Sequence, residues 1–155
     1  MKQEKTKPQN KLEKSAGAII YFFEKEPKFL LLKYPTYWGF TKGIIEKQEK
    51  IEETIKREIK EETGIENFQI VPGFKHEQKW FFKAQGNLVF KEAIFLLVKV
   101  SREEAEKVKI SFEHEDFAWL SLEEALEKMK IKNNKEMLEK AEKFILEFER
   151  QKTLT

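Results

Sequence analysis

The sequence predicts an α/β domain, a mixed β-sheet with helices packed against it. Three observations lead there. Short apolar runs bounded by turn residues recur from Ala16 to Leu120, one stretch between them (Ile51–Thr63) switches to helical spacing, and the segment after Ser121 is amphipathic helix. A chain of 155 residues, 40% hydrophobic, has the length of one domain and can bury a sizeable core. That domain is expected over residues 15–152, behind a flexible polar tail over residues 1–14.

Each element follows from its residues. Met1 to Lys14 is lysine-rich and broken by Pro8, which leaves nothing to bury. Ala16–Phe23 and Phe29–Lys33 have the apolar character of strands, and Glu24–Lys28, with Pro27, is the turn of a hairpin. Tyr34–Glu49 carries Pro35, Gly39 and Gly43, an irregular loop with a short strand at Tyr37–Phe40. Ile51–Thr63 is helical and Gly64 is its stop signal. Strands are expected at Phe68–Phe74, Lys79–Lys83, Leu88–Val100 and Phe117–Leu120, with Gln85-Gly86-Asn87 as a turn. Ser121 followed three residues later by Glu124 is a capping-box pattern, and Leu122, Ala125, Leu126 and Met129 recur behind it at helical spacing. A longer helix then places Met137, Leu138, Ala141, Phe144, Ile145 and Phe148 on one face. No internal repeat is present.

Composition excludes several function classes. Cysteine is absent, which removes disulfides, thiolate nucleophiles and Cys-based zinc sites together. Apolar runs such as Phe29–Leu32 and Ile94–Val98 fall far short of the roughly 20 residues of a membrane span. No apolar signal core follows the N-terminal lysines, so a cytoplasmic location is expected. Charged residues make up 37% of the chain, yet the net charge is only +2 and the signs are interspersed. A large basic surface is therefore not expected, and with it no stable nucleic-acid complex.

The helix at Ile51 carries the chemistry. At about 100° per residue, Ile51, Ile55 and Ile59 fall at about 0°, 40° and 80°, a core-facing stripe. Glu58 falls at about −20°, Glu62 at about 20°, and Glu61 at about −80°, so Glu62 lies between isoleucines. Carboxylates beside apolar surface cost several kcal/mol per ion unless they are protonated or bind hard cations. A solvated Lys/Glu helix would need no such compensation, but it would not account for the residues around it.

Gly43, five residues, Glu49, seven residues, Arg57-Glu58-Ile59, one residue, Glu61-Glu62, one residue, Gly64-Ile65 matches the Nudix box at every defined position. The chain thus resembles the Nudix hydrolases, which split a nucleoside diphosphate linked to another moiety using Mg²⁺ or Mn²⁺. The resemblance implies a Nudix-like α/β/α sandwich and a metal site built from Glu58, Glu61 and Glu62. It implies that Gly43 lets the backbone approach that site and that Arg57 orients the carboxylates. Glu49 either braces the loop before the helix or serves as a simple cap.

Further segments look like those of the asymmetrical diadenosine tetraphosphate hydrolases: Ser15–Ile20, Trp38–Gly43, Gly73–Lys75 and Ser111–Leu120. That likeness implies phosphate contact by Lys42, a place for Glu113 in the catalytic metal site, and an adenine stacked on Trp80 or Phe82. Lys75 is a further candidate for phosphate. Thr41 stands where proline is usual, and Lys47-Gln48 replaces Pro-Gly. The reaction implied is hydrolysis to ATP and AMP by a metal-activated water, with Glu58 or Glu113 as the proton acceptor. Capped or triphosphorylated RNA ends or a nucleoside triphosphate are the alternative substrates, and a catalytically silent nucleotide-binding module is the alternative class. His114 is expected at the surface, and nothing in the sequence singles out His76.

Overall fold

The structure, a computed structural model, describes residues 11–154. Its elements in chain order are β1 (Lys11–Glu24), β2 (Glu26–Lys33), β3 (Trp38–Gly39), β4 (Thr41–Ile44), α1 (Ile51–Thr63), β5 (Gln69–Ala84), β6 (Asn87–Lys99), α2 (Arg102–Glu106), β7 (Asp116–Leu120), α3 (Leu122–Lys128) and α4 (Lys132–Thr153). The strands form one sheet in the order β3-β2-β1-β6-β5, with β4 also on β1 and β7 on β2. β1 and β6 run parallel and the remaining pairs antiparallel, so the sheet is mixed, as expected.

Alternation along the strands sorts the apolar residues onto two faces. Ala16, Ala18 and Ile20 of β1, with Leu30 and Leu32 of β2, pack against Ile55 and Ile59 of α1 and Ala105 of α2. Ile19, Tyr21, Phe29, Leu31, Phe95 and Leu97 point the other way, to Ala125 of α3 and to Met137, Leu138, Ala141 and Ile145 of α4. Helices cover both faces of the sheet, which makes the α/β/α sandwich. Because β1 and β2 are buried on both sides, they are continuously apolar rather than alternating.

Several boundaries differ from expectation for identifiable reasons. The tail expected over residues 1–14 falls partly outside the described residues. Within them it is corrected, because Lys11–Lys14 are the start of β1 and pair with Val89–Glu92. Backbone pairing alone places them there, since their side chains carry no strong apolar signal. The β1–β2 turn is tighter than Glu24–Lys28, with Lys25 at φ 67° between paired Glu24 and Glu26. β5 is one strand instead of two, and a bulge between Val71 and Lys75 absorbs Pro72 and Gly73. Gln85 and Gly86, both at positive φ, close the β5–β6 hairpin at the expected place. α1 has the expected bounds.

Gly64 ends α1 at φ 74°, with its N–H donating to the Lys60 carbonyl. The nearest atom to an added Cβ is 3.8 Å away, so backbone strain alone opposes a side chain. Gly64→Ala should therefore cost about 1 kcal/mol and lower Tm by about 2–4 °C in thermal unfolding followed by circular dichroism.

Candidate active site

Two neighbouring elements bring the box residues together. On α1, Ile55 and Ile59 are fully buried, and Glu62, between Ile51 and Ile55 on the wheel, is only 6% exposed. β4 runs beside the helix, with Thr41 and Gly43 alternating against Lys42. A side chain at Gly43 would overlap the Glu58 carboxylate. Glu58 cannot simply swing aside, because Arg57 holds it.

Arg57 uses every edge of its guanidinium. Its Nε donates to Glu49 Oε2 at 2.8 Å, and Nη2 donates to Glu49 Oε1 at 2.9 Å and to the Ile44 carbonyl at 3.0 Å. Nη1 donates to Glu58 Oε1 at 2.7 Å and lies 3.6 Å from Glu61. Glu49 also accepts from the Glu46 amide at 2.8 Å and the Thr54 hydroxyl at 2.9 Å. Arg57 and these donors hold the Glu49 carboxyl down at about 2. Glu49 is thus the brace of the loop before α1. Glu61 is 59% exposed, at the outer rim of the cluster.

The remaining carboxylates oppose one another. Burial, then the charges of Glu58 and Glu113, push the Glu62 carboxyl up to about 8. The Lys42 amide and the Thr41 hydroxyl nearby pull the other way, but neither Thr41 Oγ1 nor Glu62 Oε2 completes a side-chain hydrogen bond. Glu58 is also raised, by burial first, against the lowering effect of Arg57. Glu113 comes from the loop before β7, and its charge acts on Glu58, Glu62 and the half-buried Tyr34 alike.

His114 corrects the expectation of a surface position, for it is 6% exposed. Its ring meets Tyr34 edge-on at 4.7 Å, while the His114 amide closes a turn onto Ser111 and the Glu115 amide donates to the Lys33 carbonyl. That turn folds the loop down over β2. Nδ1 lies 3.3 Å from Ser111 Oγ, and Nε2, 3.9 Å from Glu62 Oε1, has no hydrogen-bond partner. Tyr34, which stacks on Tyr37 and donates to the Phe40 carbonyl, was not foreseen either.

Lys42 turns to the other face of β4, where Nζ sits 5.6 Å from the Trp80 ring centre. Burial lowers its pKa. Both residues line a cavity of about 310 Å³ with Tyr37, Gln78, Ile131, Asn133 and Asn134. Phe82 shares the Trp80 side of β5 two residues further out, with the Lys91 ammonium 5.3 Å from its ring centre, and does not line this cavity. Lys75 is not brought to this group; five residues from Trp80 along β5, it faces the opposite way and pairs with Glu77 at 3.5 Å. The Asn133-Asn134 pair, at the start of α4 in so Lys/Glu-rich a chain, was the available signal for the far wall.

The donor set fits a hard divalent cation. Among the described residues no three carboxylate or imidazole side chains form a closed cage. Mg²⁺ and Mn²⁺ do not need one, because such ions keep several waters and bind through one or two carboxylates together with substrate phosphate. A buried Glu62 oxygen without a partner, beside two further carboxylates, is an open site of that kind.

Residues 11–141 match the NUDIX domain family. The chain is 32% identical over 144 residues to bis(5′-nucleosyl)-tetraphosphatase [asymmetrical] of Mus musculus, covering 85% of this chain and 95% of that protein. It is 27% identical over 149 residues to dihydroneopterin triphosphate diphosphatase of Haemophilus influenzae, covering 85% and 89%. Among solved structures, a C. elegans Ap4A hydrolase binary complex superposes with a TM-score of 0.70 at 28% identity, covering 86% of this chain and 98% of that one.

The raised Glu62 carboxyl has a consequence for the metal-free protein. Folded Glu62 holds its proton up to about 8, whereas the ordinary value is 4.5. Between those values the native state binds the extra proton, so stability should fall as pH rises from 4.5 to 8, by a few kcal/mol in all. In denaturant titrations without divalent metal, Glu62→Gln should flatten that decline and be the more stable protein at pH 8. A variant less stable than wild type at pH 8 would show that Glu62 is held by favourable contacts instead.

Proposed function

Given that this chain belongs to the Nudix hydrolases, we propose that it hydrolyses diadenosine tetraphosphate to ATP and AMP with the help of Mg²⁺ or Mn²⁺. One observation carries the reading: a lysine and an exposed-edge tryptophan share a cavity on one side of β4, while the carboxylates lie on the other side of the same four-residue strand. A nucleotide base and the charged chain attached to it need those two surfaces. The similarity to tetraphosphatases along most of the chain supports the same substrate.

Glu62 and Glu58 would hold the cation, with Glu113 facing them from the loop before β7 and Glu61 at the rim. When bound, the cation supplies Lewis acidity and offsets phosphate charge. Arg57 keeps one Glu58 oxygen fixed and the loop before α1 closed. Lys42 meets phosphate with a partly desolvated ammonium, where opposite charge is worth more than in water. Trp80, 37% exposed, offers its face to adenine. One water is consumed: its oxygen enters at the phosphorus next to one adenosine, its proton goes to Glu58 or Glu113, and ATP departs.

A nucleoside triphosphate or a 5′-triphosphorylated RNA is the second reading, favoured by the relative named for a triphosphate. Incubating the protein with each substrate and Mg²⁺, with products separated by chromatography, decides between them. Higher kcat/KM on triphosphates, or formation of two ADP molecules, would sink the tetraphosphate reading.

Stacking on an aromatic is worth about 1–3 kcal/mol, so Trp80→Ala should raise KM for diadenosine tetraphosphate by roughly ten- to a hundredfold. The turnover number should move less, because stacking is made before the chemical step. Glu113→Ala should lower turnover by about a hundredfold or more. Glu115→Ala, which loses only an exposed pairing to Lys33, should stay within about twofold. Equal small effects from both would make this loop an ordinary acidic surface.

A further inference from the structure

We infer that His114 is a positioning residue for Glu62, acting as a neutral donor whose proton Ser111 assigns to Nε2. The inference rests on the reading of Glu62 as a cation ligand and goes beyond it by adding a Ser–His–Glu chain that the box does not contain.

Three buried polar atoms at this end of the molecule have no hydrogen-bond partner: His114 Nε2, Glu62 Oε2 and Thr41 Oγ1. A buried polar group without a partner is destabilising, so three in one place call for an explanation. Nε2 faces the other oxygen of the same carboxylate, Oε1, at 3.9 Å. A neutral imidazole has one N–H, and its place is set by what the other nitrogen does. Ser111 Oγ lies 3.3 Å from Nδ1. A hydroxyl can donate there, which makes Nδ1 the acceptor and leaves Nε2–H aimed at Glu62. At 3.9 Å the two atoms are beyond hydrogen-bond reach, so the carboxylate must shift toward the ring to accept that proton.

The ring cannot turn away. Tyr34 meets it edge-on, and Tyr34 itself is fixed by its 2.6 Å hydrogen bond to the Phe40 carbonyl and by stacking on Tyr37. The loop is tied to β2 through the Glu115 amide. With Nε2–H directed at Oε1, Oε2 is left open for the cation. A donor in this place orients the carboxylate without changing its own charge, so no titration of His114 is involved. Outer partners of metal ligands commonly matter by about 10–100-fold in metal affinity.

The test reads the imidazole and the ion separately. Long-range ¹H–¹⁵N NMR of the metal-free wild type above about pH 8, where Glu62 is ionised, should show His114 protonated at Nε2, with that resonance moving in Glu62→Gln. His76, the other histidine, is removed by substitution to assign the signal. Calorimetric titration with Mn²⁺ should show about tenfold or greater weakening in His114→Phe, which keeps a ring beside Tyr34, and recovery to within about threefold in His114→Gln, whose amide can donate from the same place. Ser111→Ala should fall between them. A proton found on Nδ1 would overturn the inference whether or not any variant folds. So would wild-type Mn²⁺ affinity in a folded His114→Phe. Absence of Mn²⁺ binding by the wild type would instead overturn the reading of the carboxylates on which this stands.

Discussion

Repulsion among Glu58, Glu62 and Glu113 is the constraint around which this end of the molecule is arranged. Glu62 is buried on the same face of α1 as Ile55 and Ile59, in surroundings that disfavour its charge, and the neighbouring carboxylates add to the penalty. Such a group persists only where the rest of the structure over-determines its position. Here the two-sided core fixes α1 on the sheet, the Gly43 backbone closes against Glu58, and Arg57 ties Glu58 to the loop before the helix. The stability lost by crowding anions becomes affinity for whatever positive charge relieves it.

Much of this was legible because the controlling information is local. Helical spacing fixed both ends of α1 and the inward position of Glu62, since burial on a helix follows from angle alone once the apolar stripe is known. The motif spacing pointed to Arg57, Glu49 and Gly43 before any contact was visible. The two apolar strands could be read for the same reason: burial on both faces leaves continuous runs.

What escaped the sequence depends on partners distant along the chain. His114 stands in a run of acidic residues that resembles a solvated loop, and the ring that packs against it, Tyr34, comes about eighty residues earlier. Lys75 lay close to Trp80 in sequence, but the two stand five residues apart on one unbroken stretch of β5, and strand alternation sends them to opposite faces. Lys11–Lys14 gave no strand signal, because what places them is the backbone of β6. In each case the deciding interaction joins segments whose order of approach is set by the sheet.

The chain has thirty basic residues, and lysine takes nearly all of those places. On the exposed faces of α1 and α4 an ammonium and a guanidinium are interchangeable, so random exchange between the two can proceed unnoticed. Position 57 is where that freedom ends. Four acceptor atoms from a strand, a loop and a helix converge on one planar group there, and an ammonium has neither the span nor the fixed directions to reach them together. A lysine at position 57 would therefore leave some of these acceptors without a donor, whereas a lysine in place of the exposed Arg102 or Arg150 would give up only surface pairings.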